Sequence, residues 1–330
     1  MIEIWVTRQD GNYILPVSRV EWRGAKYRAP RSIQVDMTIT QTSGRTNVIE
    51  EGNAVIFRWK GQELFRGIVF TRDFRSDGSL SWTAYDNLYY LVNNSDTYTF
   101  VNKKASEILH QICNDFQLQI GKISDTRYVK PRQVSEDDTL YDMVLSALDS
   151  TFKSTGQRYT LRSRIGKVEL IENVENVHKW IIQEGVNLTD FNYSTSIEET
   201  VSRVKLRSGD EEESITAVAD SQLLQSRFGV LQLNEMVFDK LNKAQLQQRA
   251  VQMLSERGKI NRTFTLQSLG IVDVVAGSGI HVIVPKLGIK KGYYVDDDSH
   301  SFEGNDYSMN LTLTETDDLP DIAEEPIDSD

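Results

Sequence analysis

Apolar and polar residues alternate with a period of two through most of the first 92 positions: Ile2-Ile4-Val6, Val17 to Trp22, Ile33-Val35-Met37-Ile39, Val55-Phe57-Trp59, Leu64 to Phe70 and Leu80 to Tyr85. Turn-forming residues at Asp10-Gly11, Ser43-Gly44, Lys60-Gly61 and Asp77-Gly78 separate these runs. The pattern predicts short antiparallel strands that close a small barrel or sandwich. The period then lengthens. Tyr98 and Phe100 alternate with polar neighbours as one more half-buried strand, and Asn102 stands where a helix N-cap would. Ala105, Ile108, Leu109, Ile112 and Phe116 follow at helical spacing and predict a helix over Lys103 to Phe116. A second helix is expected over Thr139 to Phe152, capped by Asp137 or Asp138 and closed by Gly156. A hairpin around Ile165-Gly166 completes this mixed segment.

Strand signals return from Val186: Leu188 to Ser194, Thr200 to Arg207, Glu213 to Ala219, Arg262 to Ser268, Gly279 to Val284, Gly292 to Val295 and Ser308 to Thr314. One helix interrupts them, opening on a capping-box pattern at Asn242 and Gln245 and ending near Gly258. The predicted fold class is therefore mainly β, α+β overall. Two strand-rich domains, 1–95 and 186–316, flank a mixed α+β domain at 96–185.

The net charge of −11 changes the picture of the C-terminus. Glu315 to Asp330 carry eight acids and no Lys or Arg, which leaves 37 basic against 40 acidic residues, a net of −3, for everything before them. With two prolines and few large apolar residues, 317–330 read as an acidic, disordered tail. A near-neutral body argues against tight nucleic-acid binding, which needs clustered Lys and Arg. The longest apolar stretch, Leu269 to Pro285, is broken by Asp273, His281 and three glycines, so no membrane span is expected. The acidic N-terminus does not read as a secretory signal, and a cytosolic origin is the default. The single cysteine, Cys113, falls on a helix beside Ile112, where a buried, inert thiol is expected.

Candidate chemistry is sparse. His110, His178, His281 and His300 are far apart, without metal-ligand spacing, and read as surface positions. Asp296-Asp297-Asp298 reads as a solvated turn, because no glycine and glutamate complete a calcium loop. Gly277-Ser278-Gly279 precedes a strand and lacks the ending of a phosphate loop. Glu50-Glu51 and Glu198-Glu199 read as exposed loop acids. No catalytic, cofactor-binding or metal-binding residue is assigned, no cofactor is expected, and the chain is not read as an enzyme. Aromatic residues concentrate in the first third, and Trp59, Trp82, Tyr85, Tyr89 and Tyr90 are the interface candidates.

The wording around the first strand-to-helix junction carries a resemblance. Tyr85-Asp86-Asn87-Leu88, a polar turn, Asp96-Thr97-Tyr98-Thr99-Phe100 and a helix ending near Ile112 to Phe116 are followed in order by Asp138 to Asp142, Ser146 to Asp149, Thr155-Gly156, Phe228 to Gln232, Ala276 to Ser278 and the strand Ser308 to Leu313. This succession resembles the baseplate hub proteins of contractile phage tails and phage-tail-like bacteriocins, of the PBSX-like type. The resemblance implies two tail-tube-like domains per chain and a homotrimeric ring with six of them, which adapts a hexameric tube to a trimeric spike. It also implies as partners a tail spike protein, a tail tube or tube-initiator protein, and tape-measure and LysM-like baseplate proteins. The implied location is a virion or bacteriocin tail baseplate assembled in the bacterial cytoplasm. The tryptophans and paired acids leave open an alternative, a tail-associated carbohydrate-binding or cell-wall-degrading module, and the layout also suits a non-viral binding scaffold.

Overall fold

The computed structural model describes residues 1–8, 11–38, 49–173, 177–209, 215–237 and 241–315; Asp10, the turn expected at Ser43-Gly44, the side chain of His178 and the acidic tail lie outside the described residues. The first third holds β1 (Ile2–Arg8), β2 (Gly11–Leu15), β3 (Arg19–Ala25), β4 (Ser32–Thr38), β5 (Ala54–Trp59), β6 (Gln62–Phe74) and β7 (Ser79–Tyr85). Next come the single turn α1 (Tyr89–Val92), β8 (Ser95–Lys104), α2 (Ala105–Asp115), β9 (Ile120–Ile123), β10 (Val129–Thr139), α3 (Leu140–Thr155), β11 (Tyr159–Arg164) and β12 (Lys167–Glu172). The remainder comprises β13 (Val177–Gln183), β14 (Leu188–Ser196), β15 (Arg203–Ser208), β16 (Ile215–Asp220), α4 (Gln222–Phe228), β17 (Gln232–Val237), α5 (Lys243–Arg257), β18 (Asn261–Leu269), β19 (Gly279–Val284), β20 (Ile289–Glu303) and β21 (Asp306–Thr314). The fold is mainly β within an α+β architecture, as the pattern predicts.

Two compact units divide the chain. One comprises Met1–Phe191 with the described part of Thr265–Ile322, and the other contains Asn192–Phe264. A thirteen-stranded sheet is the frame of the first unit. Its path runs β14-β18-β21-β20-β3-β4-β7-β6-β5-β1-β2, and β19 and β13 branch from β20. The junction is the antiparallel pair β3–β20, where Trp22 faces His300 and Val20 faces Phe302. First and last segments of the chain therefore share one sheet. One face of β1, β3 to β7 and Phe302 is a continuous core that includes Ile4, Val6, Ile33, Val35, Phe57, Trp59 and Trp82. Each large apolar side chain buried in this way stabilises the fold by about 1.5–3 kcal/mol.

A second core of the same unit gathers Leu91, Phe100, Ile108, Leu109, Ile112, Val144, Leu148, Leu161 and Leu170 between α2, α3, the β8–β10 ribbon and the β9–β12–β11 sheet. Both helices lie close to their predicted positions but start on other residues. Thr139, not Asp137 or Asp138, caps α3: its Oγ1 accepts the Asp142 N–H at 3.1 Å and donates to Asp142 Oδ2 at 2.5 Å. Asn102 takes a left-handed φ of 50° inside β8, and Lys104 occupies the N-cap of α2. Thr139→Ala is expected to lower unfolding stability by about 1 kcal/mol, read by urea titration, with an unchanged value counting against this cap. Cys113 is fully buried, and desolvation pushes its thiol up to about 12.

The second unit is a three-stranded sheet, β16-β15-β17, backed by α5. Leu246 and Ala250 of the helix pack on Val204, Leu206, Ala217 and Ala219 of the strands. Asn242 and Gln245 form the predicted capping box, with each side chain accepting the other's backbone N–H at 3.0 Å.

Candidate interaction surface

The Tyr85-Asp86-Asn87-Leu88 motif stitches the large sheet to the mixed layer. Asp86 Oδ1 accepts the Leu88 N–H at 2.9 Å and starts α1. Asn87 Nδ2 donates to the carbonyl of Gly166 at 2.5 Å, in the β11–β12 turn. Asp86 is buried and its Oδ2 has no hydrogen-bond partner among the described residues. Desolvation therefore raises its carboxyl to about 7, against the lowering pull of the Leu88 N–H and the Arg31 charge.

The five interface candidates separate into two groups. Trp59 and Trp82 are 4% and 1% exposed and belong to the sheet core. Tyr85, Tyr89 and Tyr90 are half-buried and cluster around Phe70. Ring centroids lie 4.0 Å apart for Phe70–Tyr89, 5.1 Å for Tyr85–Tyr89 and 6.4 Å for Phe70–Tyr90. The cluster joins the end of β7 to α1 and presents a partly open aromatic surface. Phe70 belongs to it although the sequence reading placed it only in a strand. Its neighbours at Tyr89 and Tyr90 are brought in by the α1 turn, which period-two counting does not register.

A buried polar cluster overturns two sequence expectations. Asp298 is not in a solvated turn, and His300 is not at the surface: both lie inside β20 with fully buried side chains. Arg31, immediately before β4, makes a bidentate pair with Asp298, Nη1 to Oδ1 at 2.8 Å and Nη2 to Oδ2 at 2.5 Å. Asp298 Oδ1 also accepts the Ala276 N–H at 2.5 Å, and His300 Nε2 lies 3.3 Å from Oδ2. His300 Nδ1 meets the Tyr307 hydroxyl at 2.9 Å. The Arg31 guanidinium lies 4.2 Å from the Trp22 ring centroid and packs on Gly24, where a Cβ would stand 2.2 Å from Nη1. Burial opposes ionisation of Asp298, but the Arg31 charge and the His300 contact outweigh it and hold the carboxyl down at about 2. Alternation along the strand, which turns Asp297 outward to Arg28 at 2.8 Å, sends Asp298 inward.

Beside this cluster, a cleft of about 580 Å³ is lined by Lys26, Arg31, Glu63, Arg162 and Glu169 among others. Arg162 Nε donates to Glu169 Oε2 at 3.0 Å, and Arg66 chelates Glu63 at 2.9 and 3.1 Å. Charges engaged with one another in this way hold walls together. The loop acid Glu51 is likewise held by Arg72 at 2.7 Å, and with Trp22, Trp59 and Trp82 in the core the sugar-stacking reading loses three of its aromatics.

Comparison with known proteins fits this picture. The chain is 39% identical over 323 residues to "Uncharacterized protein YqbQ" of Bacillus subtilis (strain 168), covering 97% of this chain and 99% of that protein. It is 38% identical over the same length and coverage to "Phage-like element PBSX protein XkdQ" of the same organism, which bears out the PBSX-type resemblance. Its fold is shared with the 43 kDa tail protein of prophage MuSo2 from Shewanella oneidensis, at a TM-score of 0.71 and 15% identity, over 94% of this chain and 98% of that one. The YQBQ-like family model matches residues 20–314, which run from the β3 strand of the sheet junction to the last residue of β21, and the chain accordingly belongs to the YQBQ-like family.

Proposed function

We propose that the protein is a structural component of a phage tail or phage-tail-like particle, and within it the baseplate hub. Three copies form a ring in which residues 1–95 and 186–316 of each supply two tube-like modules, so that the ring meets a hexameric tube on one side and a trimeric spike on the other. The observation that carries the reading is the end-to-end match to a protein of a phage-like element, on a fold shared with a prophage tail protein. The sheet adds that strands from the first and last segments of the chain join in one frame, β4-β7-β6-β5-β1-β2 continuing from β3 and β21-β18-β14 from β20.

The open aromatic cluster is the part of this surface assigned to contacts between subunits or with the tube. The variant Tyr85→Ser/Tyr89→Ser/Tyr90→Ser is expected to keep the circular dichroism of the parent chain and to lose incorporation into purified particles, scored by immunogold labelling at the tail end. Normal incorporation overturns the assignment of these tyrosines. Absence of the parent protein from the tail end of assembled particles overturns the hub reading itself.

A further inference from the structure

The large sheet of the first unit is apolar on both faces where β2, β1 and β5 meet. Ile4, Val6, Val55 and Phe57 belong to its core face. The alternate positions are apolar as well: the registers align Ile14, Trp5 and Ile56 in one cross-strand row, and Ala54, Ile68 and Tyr85 in the next. Ile14 is 54% exposed and the other five are half-buried. This stripe runs from β2, the last strand of the sheet path, to the tyrosine cluster at α1. A strand with one wet face alternates apolar with polar, whereas the unbroken runs Ile4-Trp5-Val6 and Ala54 to Phe57 are those of strands covered on both sides.

A second bare face lies on the ribbon of the same unit. Phe100, Gln133 and Ser135 turn inward, so alternation along β8 and β10 sends Thr99, Val101, Arg132 and Val134 outward, with Thr99 opposite Val134 and Val101 opposite Arg132. Val101 is 55% exposed and Val134 is 42% exposed. Each face also carries an unmatched charge, and the two signs are opposite. Glu3, on the stripe side of β1, accepts the Trp5 Nε1–H at 3.3 Å but has no cationic partner among the described residues, and Arg132 has no acidic one.

We propose that these faces are the two halves of one contact between copies of this chain, the sheet stripe of one copy seated on the ribbon of the next. Isoleucine and tryptophan of the stripe pack on the ribbon valines sheet to sheet, and Glu3 meets the neighbour's Arg132. Because the two faces differ, each copy uses its stripe on one side and its ribbon on the other, which is the head-to-tail contact that closes rings. The contact deepens the ring reading given above and rests on it.

Sedimentation velocity on the full chain tests it, with the parent expected as a trimer. Ile14→Lys/Ile56→Lys spoils the stripe and Val101→Lys/Val134→Lys spoils the ribbon, and either change alone lowers the mass about threefold, to a monomer. Lysine stems still cover the strands while their heads reach water, so unchanged circular dichroism and melting temperature are expected of both variants. Mixed in equal amounts, the variants form a two-chain species and stop there: one retains its stripe, the other its ribbon, and neither free end can continue. Should a double variant not fold, Ile14→Lys or Val101→Lys, at the most exposed position of each face, replaces it. A variant that stays trimeric, or a mixture that stays monomeric or builds trimers, overturns this contact and leaves the ring reading standing. A parent chain that never associates overturns both.

Discussion

Replacing Arg31 with methionine is expected to cost about 3–5 kcal/mol of unfolding stability at neutral pH, because it leaves the buried Asp298 carboxylate without its counter-charge. The effect is asymmetric. The Asp298 side chain is 0% exposed and cannot reach water, whereas that of Arg31 is 14% exposed and lies just before a strand. Neutralising the acid, Asp298→Asn, therefore costs less than removing the cation, about 1–3 kcal/mol, since Asn keeps an acceptor for the Ala276 N–H. The double variant Arg31→Met/Asp298→Asn recovers more than half of the single Arg31 loss, as the charge that lacked a partner is gone. Denaturant titrations of the four proteins at one pH close this cycle. A single Arg31→Met variant within about 1 kcal/mol of the parent would remove the cluster as a fastener between the first and last segments.

That cluster also marks where the sequence stops being legible. Strands β1, β4, β5, β7, β18, β19 and β21 and helices α2, α3 and α5 were predictable because local periodicity and burial agree there. β20 is a strand of Ile289–Glu303, yet only Gly292 to Val295 reads as one, since Asp296 to Ser301 look like solvent-facing turn residues. Only a guanidinium 267 positions away turns Asp298 into a core residue, and no local window contains Arg31. β10 was hidden for a different reason: Pro131 and the acids Glu136 to Asp138 argue against a strand, but it pairs only β8, and a two-stranded ribbon tolerates a proline along its edge. The tyrosines of the aromatic surface were readable as a concentration. Their separation from Trp59 and Trp82 was not, because exposure depends on which side of the sheet the mixed layer covers.

Asp86 and Asp298, both contacting or influenced by Arg31, are expected to bend the stability curve in opposite directions with pH. Asp298 has a depressed carboxyl, at about 2 against an ordinary 3.8, so its contribution is complete above about pH 4 and is lost as pH falls toward 2. Asp86 is raised from 3.8 to about 7, so the folded chain holds a proton that the unfolded chain has released. Its effect is therefore a penalty that is absent below about pH 4, grows as pH rises, and is complete above about pH 7. A displacement of that size corresponds to about 4 kcal/mol at most, since each pH unit is worth about 1.4 kcal/mol. The groups that bear on Asp86 are the Arg31 cation and the Leu88 N–H, with the Tyr141 hydroxyl nearby, and Tyr141 is itself pushed far above its usual range by burial. Asp86→Asn keeps an acceptor for the Leu88 N–H while removing the ionisation. Parent and variant are expected to have similar stability near pH 4.5, and the variant to gain on the parent progressively up to pH 8. Urea titrations across that range measure the gap. Parallel curves would mean that Asp86 is ionised throughout, in which case Arg31 serves two carboxylates rather than one and the seam between the sheet and the mixed layer is held by charge at both ends.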